Sequence, residues 1–198
     1  MKSQFKIKDK SVIDDILSKA EYGTLALSME NQPYSVPINY VYYNGICYFH
    51  GSKKGKKMEF IKDNPIASFS VVEPFSIIQS YFRSDESLAC PASHFFKSVS
   101  IDGEIKLVED YNQKVFALQS LMEKYQPEGN YIHLSDVIYK KKVDATQIFQ
   151  LTSNKISGKV KMGQHLPAEG FNRIVKYLEQ RGSDIDKLTI KSMLENKE

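Results

Sequence analysis

Residues 34–57 read Tyr34-Ser35-Val36-Pro37-Ile38-Asn39-Tyr40-Val41-Tyr42-Tyr43-Asn44-Gly45-Ile46-Cys47-Tyr48-Phe49-His50-Gly51-Ser52-Lys53-Lys54-Gly55-Lys56-Lys57. Tyr34, Val36, Ile38 and Tyr40 recur at every second position, which predicts one long strand over 34–43 with these four on one face. Asn44-Gly45 then makes a two-residue hairpin turn, because both central positions of that turn require positive φ. On the returning strand Ile46, Tyr48 and His50 alternate with Cys47 and Phe49. Beyond it Ser52 is read as the N-cap of a short helix over 53–62, which carries Lys53, Lys54, Lys56 and Lys57. Free N–H groups at a helix start favour an anion, and lysine ammonium groups add charge to a phosphate contact. The strand–helix junction therefore reads either as a phosphate site or as a solvated lysine face.

Working outward, residues 11–20 are expected to be a helix capped by Ser11, with Ile13, Ile16, Leu17 and Ala20 at helical spacing. Thr24–Ser28 and the turn Glu30-Asn31-Gln32-Pro33 complete a three-stranded meander over 22–50. Asp63-Asn64-Pro65 stops the lysine helix, since proline cannot continue it. A fourth strand over 67–72 follows, with 77–83 as its extension or part of an excursion, and 84–96 as loop. Residues 97–108 alternate cleanly: Val99, Ile101, Ile105 and Leu107 face one way, Ser98, Ser100, Glu104 and Lys106 the other. Asp110 caps a helix that Pro127-Glu128-Gly129 ends. A strand over 146–152 and helices over 169–181 and 184–194 close the chain. Sequential strands joined by tight turns, with helices between, predict an α+β antiparallel barrel and not a doubly wound parallel sheet.

With 198 residues the chain suits one large domain, alone or with a small appendage, and buries roughly two-thirds to three-quarters of its unfolded surface. A formal charge of +3 is too small for a nucleic-acid binder, so no nucleic-acid partner is expected. No apolar run approaches the ~18 residues of a membrane span, and the first eleven residues lack the apolar segment of a signal peptide. The expectation is a cytoplasmic protein with no membrane partner. Cys47 and Cys90 form no C-x-x-C pair, and Cys90 with His94 alone falls short of a metal site.

The order of Tyr34–Tyr42, Asn44-Gly45 and Ile46–Lys57 resembles the core signature of the nitroimidazole-resistance branch of FMN-binding split β-barrels, a superfamily related to the pyridoxamine 5'-phosphate oxidases. The resemblance continues in Asn64-Pro65, in Ser98–Glu104 and in Leu121-Met122-Glu123-Lys124-Tyr125, and covers about residues 12–160. It implies a split antiparallel β-barrel with peripheral helices over 1–160, and a C-terminal helical extension, 161–198, packed on it. It further implies a homodimer with FMN at the subunit interface, acting on a small-molecule substrate. Val36, Pro37, Ile38 and Asn39 would then lie along the isoalloxazine edge. Phe49, His50, Gly51 and Ser52 would approach the ribityl–phosphate tail, with Lys56 and Lys57 on the phosphate and Ser98 and Ser100 reaching the flavin. Lys155–Gln164 resembles an "SGK…Q" segment of flavin-reductase-like and negative-regulator branches, on which Lys159 and Lys161 read either as closing the site over an anionic substrate or as surface lysines.

The activity implied is a flavin-dependent oxidoreductase reducing a small aromatic or nitro compound. The alternative is a haem- or deazaflavin-binding protein, with His50, His94, His133 or His165 as haem ligands. Pyridoxamine-phosphate oxidases proper carry an arginine-rich phosphate signature and an arginine–leucine–proline-type ending. Neither is present, and vitamin-B6 oxidation is not implied.

Overall fold

The structure is a computed structural model and describes residues 1–197. The chain forms two compact units from alternating stretches. The larger comprises 14–71 and 100–157; the smaller comprises 1–13, 72–99 and the residues from Gly158 onward.

The larger unit begins with most of α1 (Lys10–Lys19), followed by β2 (Gly23–Met29), β3 (Gln32–Ile38), β4 (Val41–Tyr43) and β5 (Ile46–Gly51). Helices α2 (Lys56–Asp63), α3 (Tyr111–Tyr125) and α4 (Lys140–Ala145) also belong to it. β1 (Lys6–Ile7), α5 (Ala168–Arg181) and α6 (Asp184–Glu195) belong to the smaller unit. Three long strands, β6 (Ile66–Ile78), β7 (Ser93–Val108) and β8 (Gln147–Lys161), contribute to both. The strands pair in the order β3-β2-β6-β7-β8-β5-β4, with β1 antiparallel to β8.

Both hairpin turns of the larger unit have positive φ, at Glu30 and Asn31 and at Asn44 and Gly45. The predicted strand over 34–43 is interrupted at Asn39-Tyr40, but its face is kept: Ile38 and Tyr40 are buried, while Ser35, Pro37 and Asn39 are exposed. Two glycines are fixed by close approach. A β-carbon at Gly23 would stand 2.1 Å from the Phe69 ring, and one at Gly103 would stand 2.1 Å from the carbonyl oxygen of Thr152.

Several boundaries differ from the sequence expectation. Asp9, not Ser11, caps α1, accepting from the Ser11 amide at 2.8 Å. β6 runs on through Ile78 and β8 through Lys161, well past the predicted 72 and 152. Their alternation slips on the way: Phe75 and Ser76 of β6 are buried side by side, and Asn154 and Lys155 of β8 are both exposed. A similar slip at the end of β7 turns Leu107 to solvent and Val108 inward, so Leu107 does not share the face of Val99, Ile101 and Ile105. Asp110 caps α3 as expected, accepting from the Gln113 amide at 2.8 Å.

In the smaller unit α6 is joined to β6 by a buried polar network. Asp186, fully buried, accepts from Ser76 Oγ at 2.5 Å, from Ser183 Oγ at 2.6 Å and from Arg181 Nε at 2.9 Å. Thr189 Oγ1 accepts from the Ser76 amide at 3.0 Å. These bonds hold the Asp186 carboxyl far below the usual carboxylate range, the Arg181 guanidinium being the largest cause.

Candidate functional site

α2 starts later than the lysine run suggests. Its N-cap is Gly55, at φ 102°, and its first two residues are Lys56 and Lys57. Ser52 is not the cap; its hydroxyl accepts from the Lys54 amide at 3.1 Å and closes a tight turn ahead of the helix. Lys53 leaves the cluster, its ammonium donating to the carbonyl of Asp144 at the end of α4 at 2.7 Å. Met58, Phe60 and Ile61 bury one side of α2 and fix its position.

Lys56 and Lys57 stand where the helix dipole is positive, the wrong end for cations. Glu59 is the acid of that turn, and no carboxylate among the described residues forms an ion pair with either lysine. The Lys57 ammonium folds back over β5. It lies 5.4 Å from the Phe49 ring centroid and 5.5 Å from that of Phe149, and the two rings stack at 4.9 Å. Space for it exists because residue 51 is glycine: a β-carbon there would stand 2.8 Å from Lys57 Nζ. Partial burial lowers the Lys57 pKa, and crowding by surrounding atoms, then the charge of Lys57, lower that of His50. His50 itself remains exposed at the end of β5.

β3 reaches the same turn through Tyr34. Its ring lies 4.9 Å beneath Lys56 Nζ and packs at 5.1 Å on Phe60. Val36 and Ile38 follow on the face of Tyr34, paired with Leu25 and Gly23 of β2, while Pro37 pairs with Thr24 and faces out. The break after Asn39 is held by the end of α3. Tyr125 Oη accepts from the Tyr40 amide at 3.0 Å, and Lys124 Nζ donates to the carbonyls of Ala20 at 2.8 Å and Tyr40 at 3.1 Å. Burial pulls Lys124 down to about 8 and pushes the neighbouring Cys47 thiol up to about 12.

Of the predicted set, the larger unit holds Val36, Pro37, Ile38, Asn39, Phe49, His50, Gly51, Ser52, Lys56, Lys57 and Ser100. Phe49, His50, Gly51 and Lys57 meet directly; Tyr34 links β3 to Lys56. Ser98 and Lys159 belong to the smaller unit, where Lys159 Nζ lies 5.1 Å from the Phe96 ring centroid. Tyr34 and Phe149 were not anticipated as site residues. Tyr34 stands on the predicted face of β3, so its spacing could have flagged it; Phe149 comes from a strand 100 positions beyond Phe49 and carries no local signal. A separate pocket of about 420 Å³ on α3, bounded by Phe116, Gln119, Glu123 and His133 among others, shares no residue with the set.

A family model described as pyridoxamine 5'-phosphate oxidase matches residues 9–160. The chain belongs to the pyridoxamine 5'-phosphate oxidase family. No curated protein sequence matches it. Among solved structures, a protein assigned to 5-nitroimidazole antibiotic resistance from Bacteroides thetaiotaomicron is 22% identical, with TM-score 0.65 over 78% of this chain and 86% of that one. The flavocytochrome Anf3 from Azotobacter vinelandii is 18% identical, with TM-score 0.64 over 81% and 72%. The FAD and haem binding protein from Mycobacterium smegmatis is 19% identical, with TM-score 0.64 over 79% and 73%. At these identities the likeness shows the fold, a split antiparallel β-barrel with peripheral helices, as the sequence predicts. Among the described residues of this pyridoxamine 5'-phosphate oxidase family member, no helix is long and apolar enough to cross a membrane.

Proposed function

We propose that this protein is a cytoplasmic flavoprotein that binds FMN as a homodimer and reduces a small aromatic or nitro compound. The observation that carries the flavin assignment is the pair Lys56 and Lys57 in the first turn of α2, unpaired with any carboxylate among the described residues. Two cations at the positive end of a helix repel the dipole and each other, and a bound phosphate relieves both.

The residues present fit such a group. A β-carbon at position 51 would fill the space beside the Lys57 ammonium, and the donors there are ammonium groups and helix-start amides, which suit a phosphate. Lys56 and Lys57 hold the phosphate. The turn closed by Ser52 and Lys54 sets their approach. Val36, Pro37, Ile38 and Asn39 offer one edge of β3 to the flat ring, with the Asn39 end fixed by Tyr125 and Lys124. Exposed His50, its pKa lowered, stays neutral at neutral pH and offers a donor and an acceptor beside the tail. FMN, when bound, supplies the electron transfer. Support also comes from family membership and from the Mycobacterium smegmatis neighbour, described as binding FAD and haem.

The absorption spectrum of the purified protein, followed by titration with FMN and turnover of NAD(P)H with quinone or nitro acceptors, tests the proposal. Flavin bands and quenched FMN fluorescence are expected; free FMN fluorescence unchanged by stoichiometric protein sinks it. Sedimentation equilibrium tests the dimer.

Two neighbours of the same fold are described as a flavocytochrome and as an FAD and haem binding protein, which favours haem as the second reading. A Soret band on adding hemin, lost in His50→Ala, would establish it.

A further inference from the structure

The smaller unit gathers positive charge from three separate stretches. Lys159 and Lys161 are two positions apart on β8, with Gly158 and Val160 buried between and beside them, so both ammonium groups lie on the outward side. Lys161 Nζ donates to Ser93 Oγ at 2.6 Å, and Lys159 Nζ sits over the Phe96 ring at 5.1 Å. β8 then turns at Gly163, φ 75°, and presents His165. The His165 ring meets Phe5 edge-on at 5.1 Å. Gln164 pins this arrangement, donating to the carbonyls of Val160 at 2.9 Å and Gln4 at 3.1 Å, which brings the segment bearing Lys2 alongside. Arg83 enters from the loop after β6, anchored by its bond to the Pro91 carbonyl at 3.1 Å.

Every charged neighbour that acts on His165 is positive: Arg83, Lys161 and Lys2. Those that act on Lys161 are Lys159 and Arg83, also positive. Arg83, Lys159 and Lys161 form no ion pair with a carboxylate among the described residues. Having accepted from Lys161, the Ser93 hydroxyl keeps its own proton to donate. Like charges held together by a fixed frame are a cost that the fold sustains without local relief.

We propose that Arg83, Ser93, Lys159, Lys161 and His165 form a binding site for a phosphate-class oxyanion, free or as the phosphate of a small phosphomonoester. A carboxylate would neutralise one of these charges; a doubly charged, three-oxygen group answers several from different directions. Lys159 and Lys161 are the pair that the resemblance brings over an anionic substrate, and the site deepens that reading; its measurement uses phosphate and not FMN, so its failure is distinguishable from failure of the flavin proposal.

NMR of the imidazole C–H resonances, with His165 assigned through His165→Gln, provides the test. Inorganic phosphate and ribose 5-phosphate are titrated separately, ionic strength being held constant with sodium chloride. Saturable shifts of the His165 resonance are expected, with its titration midpoint moving to higher pH as the bound anion favours the imidazolium. Arg83→Ala and Lys161→Ala should each weaken binding roughly tenfold or more, and Lys176→Ala on α5 should leave it unchanged. Response to ribose 5-phosphate as well as phosphate identifies an ester site; response to phosphate alone identifies a free-ion site. An equal midpoint shift in chloride alone would be bulk screening and overturns the proposal, as does a folded Arg83→Ala/Lys161→Ala double variant that binds like the parent. The phosphate-against-chloride comparison on the unaltered protein decides even if a variant does not fold.

Discussion

The hydroxyl of Tyr125 accepts from the amide of Tyr40 at 3.0 Å across 85 residues of sequence, and so holds open the break between β3 and β4. The Tyr125 proton goes to the carbonyl of Glu21, while the Tyr40 carbonyl is served by Lys124 at 3.1 Å. Tyr125→Phe deletes the acceptor and strands a buried amide, so a loss of roughly 1–3 kcal/mol is expected. A urea midpoint lowered with an unchanged slope checks it; an unaltered midpoint would show that the strand break does not depend on the phenol.

Lys56→Ala/Lys57→Ala tests the phosphate turn. Each charge-assisted contact contributes roughly 1.5–3 kcal/mol, so FMN affinity should fall by about two orders of magnitude or more while thermal stability of the apoprotein holds or rises. Gly51→Ala should act in the same direction, because its β-carbon displaces only the flexible end of Lys57. Fluorescence titration against FMN reads both, and unchanged affinity in the double variant refutes the lysine assignment.

Cys47 and Lys124 make opposite contributions to stability in alkali. The Cys47 thiol, 1% exposed, titrates near 12 in the fold against its ordinary 9.0. Above pH 9 the unfolded chain gives up a proton that the folded chain keeps, so stability falls as pH rises. Lys124, pulled from 10.5 to about 8, does the reverse between those values: the unfolded chain holds a proton that the folded chain has shed, and stability rises. Cys47→Ala removes the first effect and leaves burial, the main cause of the second, in place. Relative to the unaltered protein the variant should gain up to roughly 1.4 kcal/mol per pH unit above 9. Urea midpoints at pH 7.5, 9 and 10 provide the check, and parallel pH profiles would contradict it.

Asp186→Asn leaves the Arg181 guanidinium facing a neutral group inside the Ser76–Thr189 network. A loss of about 3–5 kcal/mol is expected at neutral pH. Because the folded carboxyl titrates below its ordinary 3.8, the stability it contributes is present above that value and fades as pH falls through and below it. The gap between parent and variant should therefore narrow under acid, which denaturation at pH 7 and pH 3 measures.

Much of the larger unit was legible in local signals. Asn44-Gly45 gave its turn, Asp110 its cap, and the Tyr34–Tyr40 face its burial, because each depends on neighbours within a few residues. The lengths of β6 and β8 were not legible, since the alternation breaks phase at Phe75 and Ser76 in β6 and at Asn154 and Lys155 in β8. At the site, Ser52 had the chemistry of a cap but lies four residues ahead of the first helical residue, and the chain uses it for a turn while Gly55 supplies the dihedral. The Phe149 ring beside Lys57 and the carbonyls beneath Lys124 are tertiary partners, which no window of sequence contains.

The bond from Lys53 to the Asp144 carbonyl ties the lysine turn to a helix end 91 positions away. The four residues 52–55 between β5 and α2, preceded by Gly51 and ending in Gly55, would otherwise sample many shapes, and an incoming anion would have to select one of them. Anchored at Lys53, the turn is already ordered when the chain finishes folding. The entropy of assembling the cradle is thus lost once, at folding, and is not charged again to each encounter with ligand.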